Sequence, residues 1–187
     1  GLPTHRTRWQ PRHAATLGES LERHGWDGAW YTRAFFDDGT ALGVHASDEC
    51  QIDSIAQSWG VISGAAERGH AMAAMAAVDD RLVRRDDRLI LLFTPPFDRT
   101  ARDPGYIKGY PPGIRENGGQ YTHGALWSVI ALAMPGDGDK AGELFSPLNP
   151  NTQASTRADS YLSTVEPSGC CPHAEAEAPG AAAARPR

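Results

Sequence analysis

The sequence predicts a mainly α-helical chain, with helices in series, long irregular connections and one short β-hairpin. Three observations predict it. Apolar residues recur at helical spacing in five stretches. Glycine, proline or turn chemistry closes those stretches. Between the third and fourth, residues 98–121 carry so much Pro and Gly that regular structure is denied to them. A loop that long in a compact domain is functional or disordered.

Residues 13–24 place Ala14, Leu17 and Leu21 on one face, with Glu19, Glu22 and Arg23 opposite, and Gly25 ends that helix. Residues 31–36 favour β structure. "DDGT" at Asp37 is a turn signal, so a hairpin returning through "ALGV" is expected. Ile52, Ile55, Ala56, Trp59 and Ile62 give a second helix, stopped near Gly64. Asp53 is expected in its first turn, where negative charge suits the helix dipole. Residues 65–85 read as a third helix, with Met72, Met75 and Val78 on one side and His70 on the polar face. "RLILLF" is a short apolar run broken by "TPPFD". Helices over residues 122–134 and 139–145 follow the long loop, joined tightly through "PGDGD". Residues 168–187 hold no aromatic and no large aliphatic side chain, so a disordered tail is expected after a domain over 1–167.

At 187 residues the chain is long enough for one domain with a real core. Net charge is −5 and no basic face forms, which argues against nucleic acid as a partner. No apolar run is long enough to cross a bilayer, so this segment is expected to make no direct membrane contact. The first residues lack a signal-peptide core. Cys50 and the adjacent Cys170 and Cys171 suit a reducing compartment, and a cytoplasmic location is expected.

Two stretches carry chemistry. In "GWDGAWYTRAFFDDGT", Asp27 stands between Trp26 and Trp30. Desolvation by the rings is expected to raise its pKa, which suits a general acid, and indole faces stack on sugar rings. Equally, "DG" is a common turn pair, and the rings can be core. In "KGYPPGIRENGGQYTH", the residues Lys108, Arg115, Glu116, Asn117, Gln120, Tyr121 and His123 crowd together. Gly118 and Gly119 let backbone approach a ligand. His123 at a helix start can join free N–H groups in holding an anion. The alternative is a surface loop with scattered charges and an ordinary cap. His45, Asp48, Glu49 and Cys50 have no metal-ligand spacing, so no metal is expected, and "SDE" reads better as a helix start.

At these residues the chain resembles a known family. The stretches "GWDGAWYTRAFFDDGTALG", "SDECQIDSIAQSWGVISGA", "TPPFD", "DPGYIKGYPPGIRENGGQYTHGALW" and "LFSPLNP" are similar to the inverting glycoside phosphorylases that act on cellobiose and chitobiose. They are most similar to the phosphorylase-type domain of bacterial cyclic β-1,2-glucan synthases. The resemblance covers about residues 12–167.

It implies part of an (α/α)6 toroid barrel, completed by the rest of a parent chain that is either soluble or anchored at the inner face of a membrane. It implies β-glucan or a disaccharide as substrate, inorganic phosphate as co-substrate, and no other cofactor. Asp27 would be the proton donor, with Trp26, Arg115 and Glu116 touching sugar, Gln57 near the same pocket and His123 holding phosphate. One carboxylic acid suffices when phosphate is the nucleophile, whereas an inverting hydrolase needs a second carboxylate to activate water.

Several features depart from the pattern. Ala29 replaces a glutamate, "NPNTQ" replaces "NPINH", and "TVEP" gives way after Pro167 to a foreign-looking tail, as in a truncation or shifted frame. The Trp-rich "TGSAGW" motif that supplies more phosphate contacts in the family, and an upstream "WNDG" segment, are missing. The segment by itself is therefore expected to be inactive. A hydrolase using Glu116 or Asp37 as base, and a degenerate sugar-binding fragment, are the alternatives.

Overall fold

The computed structural model describes residues 5–149; the 168–187 tail and the boundary at Pro167 lie outside them. Helix α1 covers His5–His24, starting eight residues before the expected point. The hairpin follows as β1 (Ala34–Phe35) and β2 (Ala41–Leu42), antiparallel with Ala34 opposite Leu42. Strand β3 (Ile52–Asp53) runs directly into α2 (Ser54–Ile62). Helix α3 is Arg68–Arg81. It is followed by β4 (Val83–Arg84), β5 (Leu89–Ile90) and β6 (Phe93–Thr94). The long loop holds one 3-10 turn, Tyr106–Gly109, before α4 (Thr122–Ala133) and α5 (Gly138–Phe145). Five α-helices with a few short strands thus make up the described residues, as expected of part of a helical toroid.

Three local expectations need correction. Asp53 is not inside α2. It is extended, at φ −122° and ψ 130°, and caps the helix by accepting from the Ile55 and Ala56 N–H groups. Pairing of β3 with β6 brings the chain in from a strand, so the carboxylate meets the free N–H groups from outside. Met72 is 63% exposed, while Met75, Val78 and Ala74 are buried. Steps of three residues lag the helical repeat, so Met72 and Val78 lie about 120° apart around the axis. Residues 48–50 start no helix; Glu49 instead accepts from the N–H groups of Asp98, Arg99 and Thr100.

"RLILLF" does more than fill space. Leu89 and Ile90 pair with β4, Phe93 and Thr94 with β3, and Leu91 bridges to Gln120. The run therefore fastens the end of the long loop to the helices. Helix α2 packs most closely on α4, with Ser58 and Ser128 sharing a buried 3.0 Å hydroxyl contact between them. The main core gathers Tyr31, Ile52, Met75, Val78, Leu82, Ile90, Leu132 and Leu144. A second cluster of Cys50, Leu92, Phe93 and Phe97 lies under the irregular connections. No helix among the described residues is long and apolar enough to cross a membrane.

Candidate functional site

Asp27 opens a tight turn. Its Oδ1 accepts from the N–H groups of Ala29 (2.8 Å) and Trp30 (2.9 Å). Its Oδ2 accepts from the His45 N–H at 2.8 Å, with His45 Nδ1 3.3 Å away. Gly28, at φ +100°, supplies the left-handed step between them. Burial pushes the carboxyl up, but the Trp30, His45 and Ala29 N–H groups and the His45 ring outweigh it, and the pKa falls below 3.8. The expected rise is therefore overturned. The tryptophans do shield Asp27, yet the same turn aims three backbone donors at it.

Trp26 is half-buried. Its ring stacks on His70 at 4.0 Å and meets Tyr31 edge-on at 5.0 Å. His70 is thus more than a polar-face residue: its Nδ1 lies 2.7 Å from Glu22. Gln57 is fully buried, accepting from the Tyr31 N–H and donating to the carbonyls of Tyr31 and Asp53, all within 3.0 Å. Its amide holds the turn that carries Trp26 and Asp27 against α2.

The second stretch forms its own unit. Residues 113–119 fold on themselves through bonds from Gly113 N–H to Asn117 O and from Gly119 N–H to Arg115 O. Gly119 has no room for a side chain, since a Cβ would lie 2.7–3.0 Å from the backbone of Gly113 and Arg115. Arg115, at φ +50°, is exposed, with its guanidinium 5.5 Å from the Tyr110 ring. The adjacent Glu116 points a buried Oε2 at no hydrogen-bond partner among the described residues. Such an atom needs an acceptor-matched donor to offset its desolvation. Six residues on, α4 begins. Tyr121 at its cap offers no side-chain hydrogen bond, so the first-turn N–H groups lack a side-chain acceptor. His123, exposed in that turn, has Tyr121 stacked at 6.4 Å and Trp127 tilted at 4.6 Å.

Arg115, Glu116 and His123 thus lie along one turn-and-helix segment. Among the described residues no hydrogen bond, ion pair or ring contact joins Asp27 directly to any of them. The two units are coupled through buried groups. Arg33 pairs with Asp53 at 2.5 Å and lies over the Phe93 ring, and Phe93 packs on Phe97. Asn117, fully buried, takes the Phe97 N–H on Oδ1 and donates to the carbonyls of Phe97 and Tyr110.

The catalytic-domain profile of the glycosyl hydrolase 94 superfamily matches residues 3–181. The chain belongs to this superfamily. Within it the chain is 48% identical over 159 residues to cyclic β-(1,2)-glucan synthase NdvB of Rhizobium meliloti, which covers 85% of this chain and 6% of that protein. It is 34% identical to solabiose phosphorylase of Paenibacillus borealis, over 86% of this chain and 20% of that enzyme. It is 31% identical to N,N'-diacetylchitobiose phosphorylase of Vibrio proteolyticus, over 75% and 18%. The chain thus spans a fifth or less of the length of these curated relatives.

The glycosyl hydrolase 94 segment also holds loop-fixing contacts that the sequence pattern does not show. Asn117, Glu22, Glu49 and the Arg33 and Asp53 pair each fix a loop through side-chain bonds. Two had a visible signal: Asn117, an Asn before Gly inside a Pro/Gly-rich loop, and Asp53, an acid at a helix start.

Proposed function

We propose that this chain is the part of a glycosidic-bond-transferring enzyme that contacts sugar and phosphate. The complete enzyme would cleave or form β-glucosidic bonds by inverting phosphorolysis, with β-glucan or a disaccharide and inorganic phosphate as substrates, in the cytoplasm. In cleavage, a phosphate oxygen bonds to the anomeric carbon as the glycosidic C–O bond breaks on the opposite side. The leaving oxygen takes a proton. Phosphate is anionic and needs positioning more than deprotonation.

The observation that carries this reading is the unit of residues 115–123. It offers a guanidinium, a carboxylate oxygen lacking a partner, and a helix start with free N–H groups beside an exposed imidazole. Arg115 and Glu116 suit sugar hydroxyls, and the α4 start with His123 suits phosphate. Asp27 is the proton donor in this reading: its resting carboxylate, held by three backbone N–H groups, takes up a proton and passes it to the leaving oxygen. By itself the segment turns nothing over.

One observation favours hydrolysis as a second reading. The unpartnered Glu116 oxygen would accept from a water as well as from a sugar hydroxyl. The test uses the full-length protein and a β-1,2-linked glucose disaccharide, with and without phosphate. Phosphorolysis yields sugar 1-phosphate and stalls without phosphate; glucose released without phosphate supports hydrolysis. His123→Ala is expected to raise KM for phosphate about tenfold or more, and KM for sugar less.

A further inference from the structure

Asp27 is nearly closed off from water, and one exposed side chain reaches it. The Asp27 side chain is 9% exposed, whereas that of His45 is 59% exposed. Oδ1 is occupied by the N–H groups of Ala29 and Trp30, and Oδ2 takes the N–H of His45. Backbone amides donate hydrogen bonds but give no proton away. The His45 ring, with Nδ1 3.3 Å from Oδ2, can. The fold places that ring. After β2 the chain turns at Gly43, φ +80°, where a Cβ would lie 2.6–2.8 Å from Arg33. This close pass brings the chain back to the Asp27 turn, and the His45 N–H fastens it there at 2.8 Å. The Trp30 indole, tied through Nε1 to the Gln51 carbonyl at 2.8 Å, stands edge-on to the imidazole at 6.2 Å. Among the described residues the contacts of the ring are with Asp27 and Trp30, so Asp27 is the charged group it faces.

Proton transfer from Asp27 raises a problem of supply. Burial favours its neutral form, but the backbone N–H groups and the His45 ring outweigh burial, so at neutral pH it rests as the anion. A general acid works best with a pKa near the working pH, and imidazole is the side-chain type that exchanges protons in that range. Donation through the pair therefore draws on a better-matched acid than the carboxyl alone. In cleavage the Nδ1 proton of the ring passes to Oδ2 and on to the leaving oxygen as the glycosidic C–O bond breaks. The attacking phosphate oxygen loses its own proton to solvent as it bonds the anomeric carbon. The ring regains a proton from solvent, so none is gained or lost overall. Synthesis runs the same path in reverse.

We infer that His45 is the proton-exchange partner of Asp27, loading the carboxylate from solvent for cleavage and unloading it in synthesis. This rests on Asp27 as the proton donor proposed above. In this role His45 acts through Asp27 and not on the sugar.

The test uses the full-length protein in the synthetic direction, from α-glucose 1-phosphate and a β-1,2-linked glucose disaccharide in dilute buffer, because added phosphate would itself carry protons. His45→Ala and His45→Gln both keep the backbone N–H that bonds Oδ2. Circular dichroism and thermal melting select the variants that keep the native fold, and two substitutions guard against loss of either. The expected result is a fall in kcat of about tenfold or more in both, with KM for either substrate changed less than about twofold. Imidazole added to the buffer should restore kcat of His45→Ala in proportion to its concentration, and leave the wild type and Asp27→Asn unmoved. An unchanged kcat in a folded His45→Ala overturns the inference. So does a loss that imidazole does not restore, or one that Gln repairs, since either makes the ring a structural contact only. Near-normal turnover in Asp27→Asn removes the proton donor itself, and this inference with it. No turnover by the wild type rejects the proposed reaction and this inference together. Loss in Asp27→Asn beside full activity in His45→Ala rejects this inference alone.

Discussion

The imidazole of His70 lies flat on the indole of Trp26, with centroids 4.0 Å apart and planes 10° apart. Glu22 holds it there: Oε2 meets His70 Nδ1, while Oε1 accepts from the Tyr31 hydroxyl at 2.5 Å and the Glu67 N–H at 2.6 Å. One carboxylate ties α1, the Trp26 turn and the cap of α3.

Glu22→Gln is expected to cost about 2 kcal/mol, because two short charge-assisted bonds lose their charge. Burial works against ionisation of Glu22, but the Tyr31, Glu67 and His70 contacts win and hold its pKa below 4.5. A depressed folded pKa contributes stability that is complete above the unfolded value and lost as pH falls through the folded one. Thermal melts below pH 4.5 should therefore fall more steeply in the wild type than in Glu22→Gln. Parallel acid limbs would reject the clamp.

Asp27→Asn separates anchor from acid. An anchor loses one acceptor where the Asn amide faces the His45 N–H, at about 1–3 kcal/mol of stability. An acid loses its function besides: turnover of the full-length enzyme should fall by roughly 10²–10⁴-fold, the loss that removing a general acid brings. Near-normal turnover in a stably folded variant would leave Asp27 an anchor only.

Asn117→Ala leaves the Phe97 N–H and two carbonyls without partners in a buried site, at about 3 kcal/mol. Gly119→Ala drives a methyl into backbone on three sides. Both should weaken sugar binding by the full-length protein more than substitutions at the exposed Lys108 do, as read by calorimetry. Equal weakening would mean that the loop is not shaped by these ties.

Cys50 should resist alkylation in the folded chain. It is fully buried, and burial raises its thiol to about 12 despite the nearby Arg33. Peptide mapping after iodoacetamide treatment, with and without denaturant, reads this. Rapid native labelling at Cys50 would show that the second core cluster opens readily.

Helical periodicity made the helices legible. The spans of the helices follow from apolar spacing, and "DDGT" marks the hairpin because the turn demands its residues. The core sides do not, since Leu17 and Trp59 are 56% and 44% exposed while Gln57 and Ser58 are the buried face of α2. Met72 was misplaced because a three-residue step drifts around the axis. The site was legible only as clusters. Nothing in "GWDGAW" says whether the rings or the backbone dominate the field at Asp27, since that depends on where three N–H groups point after folding. Arg115, Glu116 and His123 share one short stretch, so local structure unites them. Glu22 and His70, or Glu49 and residues 98–100, lie 48 to 51 positions apart and meet only through packing.

The irregular half of the molecule has strands of two residues, so sheet pairing contributes little to its shape. Glu22, Glu49, Asp53, Gln57 and Asn117 shape it instead, each gripping backbone from within or behind the loops. The rim that faces solvent is therefore uncoupled from the frame that bends it. A lineage can exchange exposed rim residues one at a time and so try new sugars without rebuilding its loops. A change at any of the five grips instead disturbs a whole loop in one step. Diversity of substrate and constancy of form thus have separate genetic addresses in this fold.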